Sequence, residues 1–133
     1  MIKAASALQS QSTSNVCSFA QRGAIAAIEG SRDCVREMAV SYNHRRALLV
    51  EGLQALPGIT LVQPEGAFYA FPQLPQACGD SVSFCQKALE QEGLAIVPGG
   101  AFGNDRCVRL SCAVSRETIT DGLSRLSRLL PAD

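Results

Sequence analysis

Few residues in this chain of 133 have the types and spacing to do chemistry, and Arg109 is the most informative of them. It stands in the run Cys107 to Cys112, just after a glycine-rich stretch, PGGAFGND, at residues 98–105. If that run is a strand, alternation puts Val108, Leu110 and Cys112 on one face and Cys107, Arg109 and Ser111 on the other. A guanidinium held on a rigid element beside a flexible loop suits a carboxylate, because its planar fork offers two parallel donors to two oxygens. On the residue type alone the default reading is the plainer one, a solvated arginine on the polar side of a half-buried strand.

The other reactive residues form no catalytic set. His44 is the one histidine and lies in the polar run NHRR at residues 43–46, so no nucleophile, base and orienter can be assembled around it. Glu90 with Glu92, and Asp105 beside Arg106, read as surface charges. The six cysteines sit in apolar-periodic segments and are expected to be buried free thiols; Cys107 and Cys112 face opposite ways on a strand, so no metal site is expected. The PGGAFG loop joins two expected strands and lacks the Gly-Lys-Ser/Thr of a phosphate loop, which leaves it as a connection beside a site. On the residues alone, a non-catalytic reading is the default.

Composition narrows the partners. Twelve basic and twelve acidic residues cancel, so no electrostatic footprint for nucleic acid or an anionic membrane is present. The basic set is ten arginines and two lysines, Lys3 and Lys87. No apolar run approaches the roughly 18–20 residues of a membrane span, and the start MIKAASALQSQ lacks a signal peptide's apolar core, so a cytoplasmic location is expected. The length suits one domain with a real core.

The elements that would position Arg109 follow from periodicity and caps. Residues 2–9 are good helix formers without an N-cap, and SQSTSN supplies a cap at Ser14 or Asn15 for a helix through Glu29, with Phe19, Ala20, Ala24, Ala27 and Ile28 along one side. Gly30 and Ser31 then open the longest helix, residues 32–56, with Asp33 in its first turn. Its stripe is Val35, Met38, Tyr42, Leu49, Leu53 and Leu56, interrupted by the solvated NHRR. Pro57-Gly58 turns the chain into ITLV, and a tight turn at PEG leads to AFYAF: two strands, with Gly66 where a Cβ would obstruct the backbone. Asp80 or Ser81 caps a helix to Glu92, with Val82, Cys85 and Leu89 inward and Gly93 as its left-handed stop. The strands LAIVP and CVRLSC follow. Ser115 caps the last helix, whose stripe is Ile119, Leu123, Leu126 and Leu130. The order after residue 57 is ββαββα, an α+β fold with a small mixed or antiparallel sheet packed with helices and preceded by a long helix.

The ordered set PEGAFYAFP, GLAIVPGGAFG and VRLSCAVSRETITDGLSRL, preceded by QSTSN with a helix and by a long helix ending LPGI, resembles the C-terminal part of class I aminotransferases of the aspartate aminotransferase type. The resemblance covers nearly the whole chain. It implies a fragment made of helices from the end of the large domain and the interdomain connection (1–30) and the C-terminal small domain (31–133). It implies that Arg109 pairs bidentately with a substrate α-carboxylate, that Gly66 and Phe68 border the substrate pocket, and that Ser14 and Asn15 lie near a dimer interface in a homodimeric enzyme. Substrates of the intact enzyme would be an amino acid and a 2-oxo acid, and its cofactor pyridoxal phosphate.

That cofactor is held in the family as a Schiff base on a lysine, and neither Lys3 nor Lys87 matches the lysine's segment. The aspartate that faces the pyridine nitrogen and the phosphate-binding residues have no counterpart either. The chain alone is therefore expected to bind no cofactor and to be inactive, with apolar surface left open to self-association. A carboxylate-binding or protein-interaction module, and a fragment of a pyridoxal-phosphate lyase or synthase, are the alternatives.

Overall fold

The computed structural model describes residues 1–131. The chain divides into two compact units, Met1–Arg36 and Glu37–Asp133. The first unit holds helices α1 (Ile2–Ser12) and α2 (Ser18–Glu29) and the opening turn of α3 (Asp33–Gln54). Cys17, with no side-chain cap bond, stands at the N-cap of α2 in place of the expected Ser14 or Asn15. The start of α3 is capped as its sequence predicts: the Asp33 amide donates to Ser31 Oγ at 3.1 Å, and Asp33 pairs with Arg36. Neither α1 nor α2 buries a side chain.

The second unit contains the rest of α3, β1 (Tyr69–Ala70), α4 (Ser81–Glu92), β2 (Val97–Pro98), β3 (Val108–Ser111) and α5 (Arg116–Leu129). The sheet is antiparallel, in the order β1-β3-β2, with β3 at its centre. The α+β class and the helices around a small antiparallel sheet are as expected, with one strand fewer. Residues 59–62 form no strand; Thr60 makes a single bridge to Gln73, and Gln73 another to Cys107. A β-branched run has become a strap tied at one point, because the chain it would pair with passes it only at Gln73.

One face of the sheet is the core. Val108, Leu110 and Ala70 point into it and meet Leu49 and Leu53 of α3, Phe84 and Ala88 of α4, and Ile119 and Leu126 of α5. Leu53, Val108 and Leu126 are fully buried there, each worth about 1.5–3 kcal/mol relative to exposure. Gly52 lets α5 come close to α3, since a Cβ at that position would lie 2.2 Å from Leu123 Cδ1. The end of α4 is tied to α5: Arg128 pairs with Glu92 at 2.6 Å and Arg125 donates to the Glu92 carbonyl at 2.6 Å. The Arg128 guanidinium holds the Glu92 carboxyl below the usual carboxylate range.

The stripe of α3 is buried only in its second half. Val35 and Met38 are exposed, whereas Leu49 and Leu53 are core. The NHRR run is solvated only at Asn43 and His44: Arg45 donates to the Val114 carbonyl at 3.0 Å and Arg46 to the Pro64 carbonyl, so both arginines anchor the connections that flank the sheet. On α4 the inward residues are Ser81, Phe84, Cys85 and Ala88, and the expected Val82 and Leu89 face solvent. The caps are as the sequence predicts: Asp80 accepts from the Ser83 amide at 2.9 Å, Ser115 from Thr118 at 3.2 Å, and Gly93 stops α4 at φ 60°. Cys85, Cys107 and Cys112 are buried thiols, but Cys17 and Cys34 are exposed and Cys78 is half-buried.

Candidate functional site

Alternation along β3 turns Arg109 away from the core face that buries Val108 and Leu110. The register then supplies its neighbours. Tyr69 lies opposite Ser111, which shares the face of Arg109, so Tyr69 is the diagonal neighbour of the arginine, within reach of a long side chain. Val97 lies directly opposite Arg109 on the other side. The guanidinium carbon rests 4.5 Å from the Tyr69 ring centroid and 4.4 Å from that of Phe102. Phe71 meets Phe102 edge-on at 6.1 Å, and Phe68 leans on Tyr69 at 4.4 Å and on Tyr42 at 6.0 Å.

Phe102 comes from the glycine-rich segment, which is no flexible loop. Gly99–Phe102 form a 3₁₀ turn directly after β2. Its backbone is closed on itself and on β3: Gly99 donates to the Cys107 carbonyl at 2.9 Å and Asn104 to the Gly99 carbonyl at 3.2 Å. A Cβ on Gly99 would lie 2.2 Å from the Cys107 oxygen, so only glycine fits. The turn is also tied to the start of α4. The buried Ser81 hydroxyl donates to Asp105 Oδ1 at 2.6 Å and accepts from the Gly100 amide at 3.2 Å.

Arg109 differs in its partners from five of the other nine arginines. Arg36, Arg45, Arg46, Arg125 and Arg128 each donate to a protein oxygen. Among the described residues Arg109 enters no ion pair, and it faces rings instead of acceptors. It is only partly exposed, yet no buried side-chain nitrogen or oxygen of the described residues lacks a partner, so its unpartnered donors reach solvent. An unpaired fork, seated on aromatic faces and open at its donors, leaves two parallel N–H groups free for an acceptor with two oxygens.

Gly66 and Phe68 lie in the turn that feeds β1. Nothing stands within 4 Å of where a Gly66 Cβ would be, which corrects the expectation that a side chain there would meet backbone. The unusual backbone belongs to Ala67, whose φ of 58° lies in the left-handed region. For an L-residue that conformation costs about 1–2 kcal/mol. Phe68 is exposed and tilted against the Tyr69 ring. Ser14 and Asn15 lie in the first unit, in the link between α1 and α2, beside a shallow polar depression they share with Gln9 and Gln21; Ser14 too has a positive φ, of 59°. An apolar cleft of about 210 Å³ is lined by Arg109 and Tyr69 together with Leu94, Ile96, Val97 and Leu123.

The sequence model of the aminotransferase class I and II family matches residues 1–126. The chain belongs to that family. It is 42% identical over 135 residues to the aspartate aminotransferase of Bacillus subtilis (strain 168), covering 98% of this chain and 34% of that protein. It is 36% identical over 141 residues to the aspartate/prephenate aminotransferase of Nitrosomonas europaea, covering 98% of this chain and 36% of that one. Among solved structures, the aspartate aminotransferase of Rhizobium meliloti superposes with a TM-score of 0.87 at 35% identity, over 96% of this chain and 34% of that one. A double mutant of the Thermus thermophilus aspartate aminotransferase gives 0.88 at 37% identity, over 97% and 34%. This aminotransferase chain thus spans about a third of the length of the relatives it matches.

The family implies pyridoxal phosphate in an intact aminotransferase, and the residues described here do not fit that group. Lys3 and Lys87 are both exposed on helix surfaces. The α4 amino end, whose free amides could cradle a phosphate, is filled by carboxylates: Asp80 caps it and Asp105 accepts from the Ser81 amide at 3.3 Å. A phosphate there would meet two like charges.

Proposed function

We propose that this chain is the carboxylate-binding portion of an aminotransferase that moves an amino group between an amino acid of aspartate type and a 2-oxo acid. Arg109 holds the substrate's α-carboxylate. The observation that carries this reading is the unpaired guanidinium on β3, seated on Tyr69 and Phe102 with its donors open to solvent. Gly66 and Phe68 then border the substrate, Phe68 through its contact with Tyr69. Ser14 and Asn15 belong to the interface of a homodimer, and the division at residue 30 separates a large-domain segment from a small domain. The protein works in the cytoplasm. No helix of the described residues is long and apolar enough to cross a membrane.

The chemistry available to these residues is positioning. A bidentate pair fixes both the place and the plane of the carboxylate, and so the direction in which the α-carbon projects. Proton transfer at that carbon needs an amine that neither exposed lysine supplies, so the chain alone binds and does not transaminate.

Titration of the full chain with L-aspartate, followed by NMR, tests the reading. Arg109→Gln should weaken binding at least about tenfold, the value of a charge-assisted bond to a carboxylate. Arg109→Lys should restore only part of it, because a point charge lacks the fork. Binding that is unchanged in Arg109→Gln overturns the proposal.

A further inference from the structure

We propose that Phe102 is a positioning residue for Arg109: the aromatic seat formed by Phe102 and Tyr69 sets the plane of the guanidinium, so that a carboxylate is accepted only at its open donor edge. The inference rests on the reading of Arg109 as the carboxylate ligand and adds what holds that ligand in place.

Three observations converge on Phe102. First, the guanidinium carbon lies over two ring faces at once, 4.5 Å from Tyr69 and 4.4 Å from Phe102. A ring face attracts the cation without consuming an N–H, so it orients the group while leaving its donors for a ligand. An acceptor in the same place would have used them. Second, the two rings come from elements that cannot move independently of the strand that carries the arginine. Tyr69 is on β1, hydrogen-bonded to β3. Phe102 is on a turn closed against Cys107, the residue that precedes β3, by the Gly99 amide. Third, the turn that carries Phe102 is fastened from behind by the Ser81 hydroxyl, which binds the Gly100 amide and Asp105 together. Phe71 meets the Phe102 ring edge-on at 6.1 Å.

Phe102 is nevertheless 48% exposed. A large apolar ring held half in water by a glycine-only turn contributes little to the core. Its contact with Arg109 is what its position provides. A long arginine side chain is free among many rotamers, and a seat that removes that freedom before binding improves affinity without touching the ligand.

The test uses the full chain, with L-aspartate as the probe and nitrogen-detected NMR of the arginine side chains as a second, ligand-free readout. In Phe102→Leu the Arg109 guanidinium signals should lose the share of their ring-current displacement that Phe102 supplies, leaving that of Tyr69, and aspartate binding should weaken about two- to five-fold, the loss of one partly exposed cation–π contact. Phe102→Tyr should restore both, and Phe102→Trp should enlarge the displacement. A merely structural role for the ring would not follow the identity of the aromatic face. Should Phe102→Leu fail to fold, the Tyr and Trp variants decide: Arg109 signals indifferent to which ring is present overturn the inference. It also falls if Phe102→Leu binds as the parent does while Arg109→Gln does not, an outcome that leaves the function of Arg109 standing. Undiminished binding in Arg109→Gln instead removes the reading on which the inference rests.

Discussion

Cysteine separates two environments at the scale of single residues. Burial pushes the Cys85 thiol up to about 11 and raises Cys107 and Cys112, and on Cys78 it outweighs the opposing effect of Lys87. A raised thiol is protonated at neutral pH and is a poor nucleophile, whereas Cys17 and Cys34 are exposed. Iodoacetamide at neutral pH should therefore modify Cys17 and Cys34 first, and Cys85, Cys107 and Cys112 only after denaturant is added. Peptide mass spectrometry after timed quenching checks this, and early labelling of Cys85 would contradict the packing of α4. Arg109 was legible at this scale because alternation along a short strand is a local rule. Its seat was not, since Phe102 is seven positions away and reaches the guanidinium only through the closed turn.

Elements show where reading from the chain succeeds and where it stops. Caps are local, so Asp80, Ser115 and the Gly93 stop could be assigned from spacing alone. The inward face of α4 could not. Val82, Cys85 and Leu89 satisfy a helical stripe, and so do Ser81, Phe84, Cys85 and Ala88, the set the structure buries. Hydrophobicity favours the first set because it excludes Ser81 from the core. What admits the serine is Asp105, a partner 24 positions away that satisfies its hydroxyl. The same distance effect removed the strand expected at residues 59–62, where β propensity was present but a continuous partner was not. Ser81→Ala should cost about 1–3 kcal/mol, because it leaves the Asp105 carboxylate and the Gly100 amide without their shared partner. In urea unfolding, Ser81→Ala combined with Asp105→Ala should cost clearly less than the sum of the two single changes. Strict additivity would show that the knot contributes nothing as a unit.

For the whole molecule, stability resides in one unit. Every residue of the core cluster lies between Leu49 and Leu130, within Glu37–Asp133, while α1 and α2 bury nothing. The apolar residues of the first unit, Ile2, Leu8, Phe19, Ile25 and Ile28 among them, are all exposed. Deleting residues 1–36 should leave the calorimetric unfolding of the remainder within about 1 kcal/mol of the parent, since surface changes rarely exceed that. The parent should sediment faster as its concentration rises, and the deletion should abolish this, because contiguous exposed apolar surface drives association. A large loss of stability on deletion, or a concentration-independent parent, would contradict the picture.

The left-handed backbone at Ala67 has a stereochemical consequence. A φ of 58° is strained for an L-residue and is the mirror image of the ordinary right-handed helical region. A D-alanine introduced there by chemical ligation would occupy its own low-energy conformation, with the same atoms and composition. The chain with that single inverted centre, one residue before Phe68, should be more stable than the parent by about 1 kcal/mol, read as a higher urea midpoint at an unchanged slope.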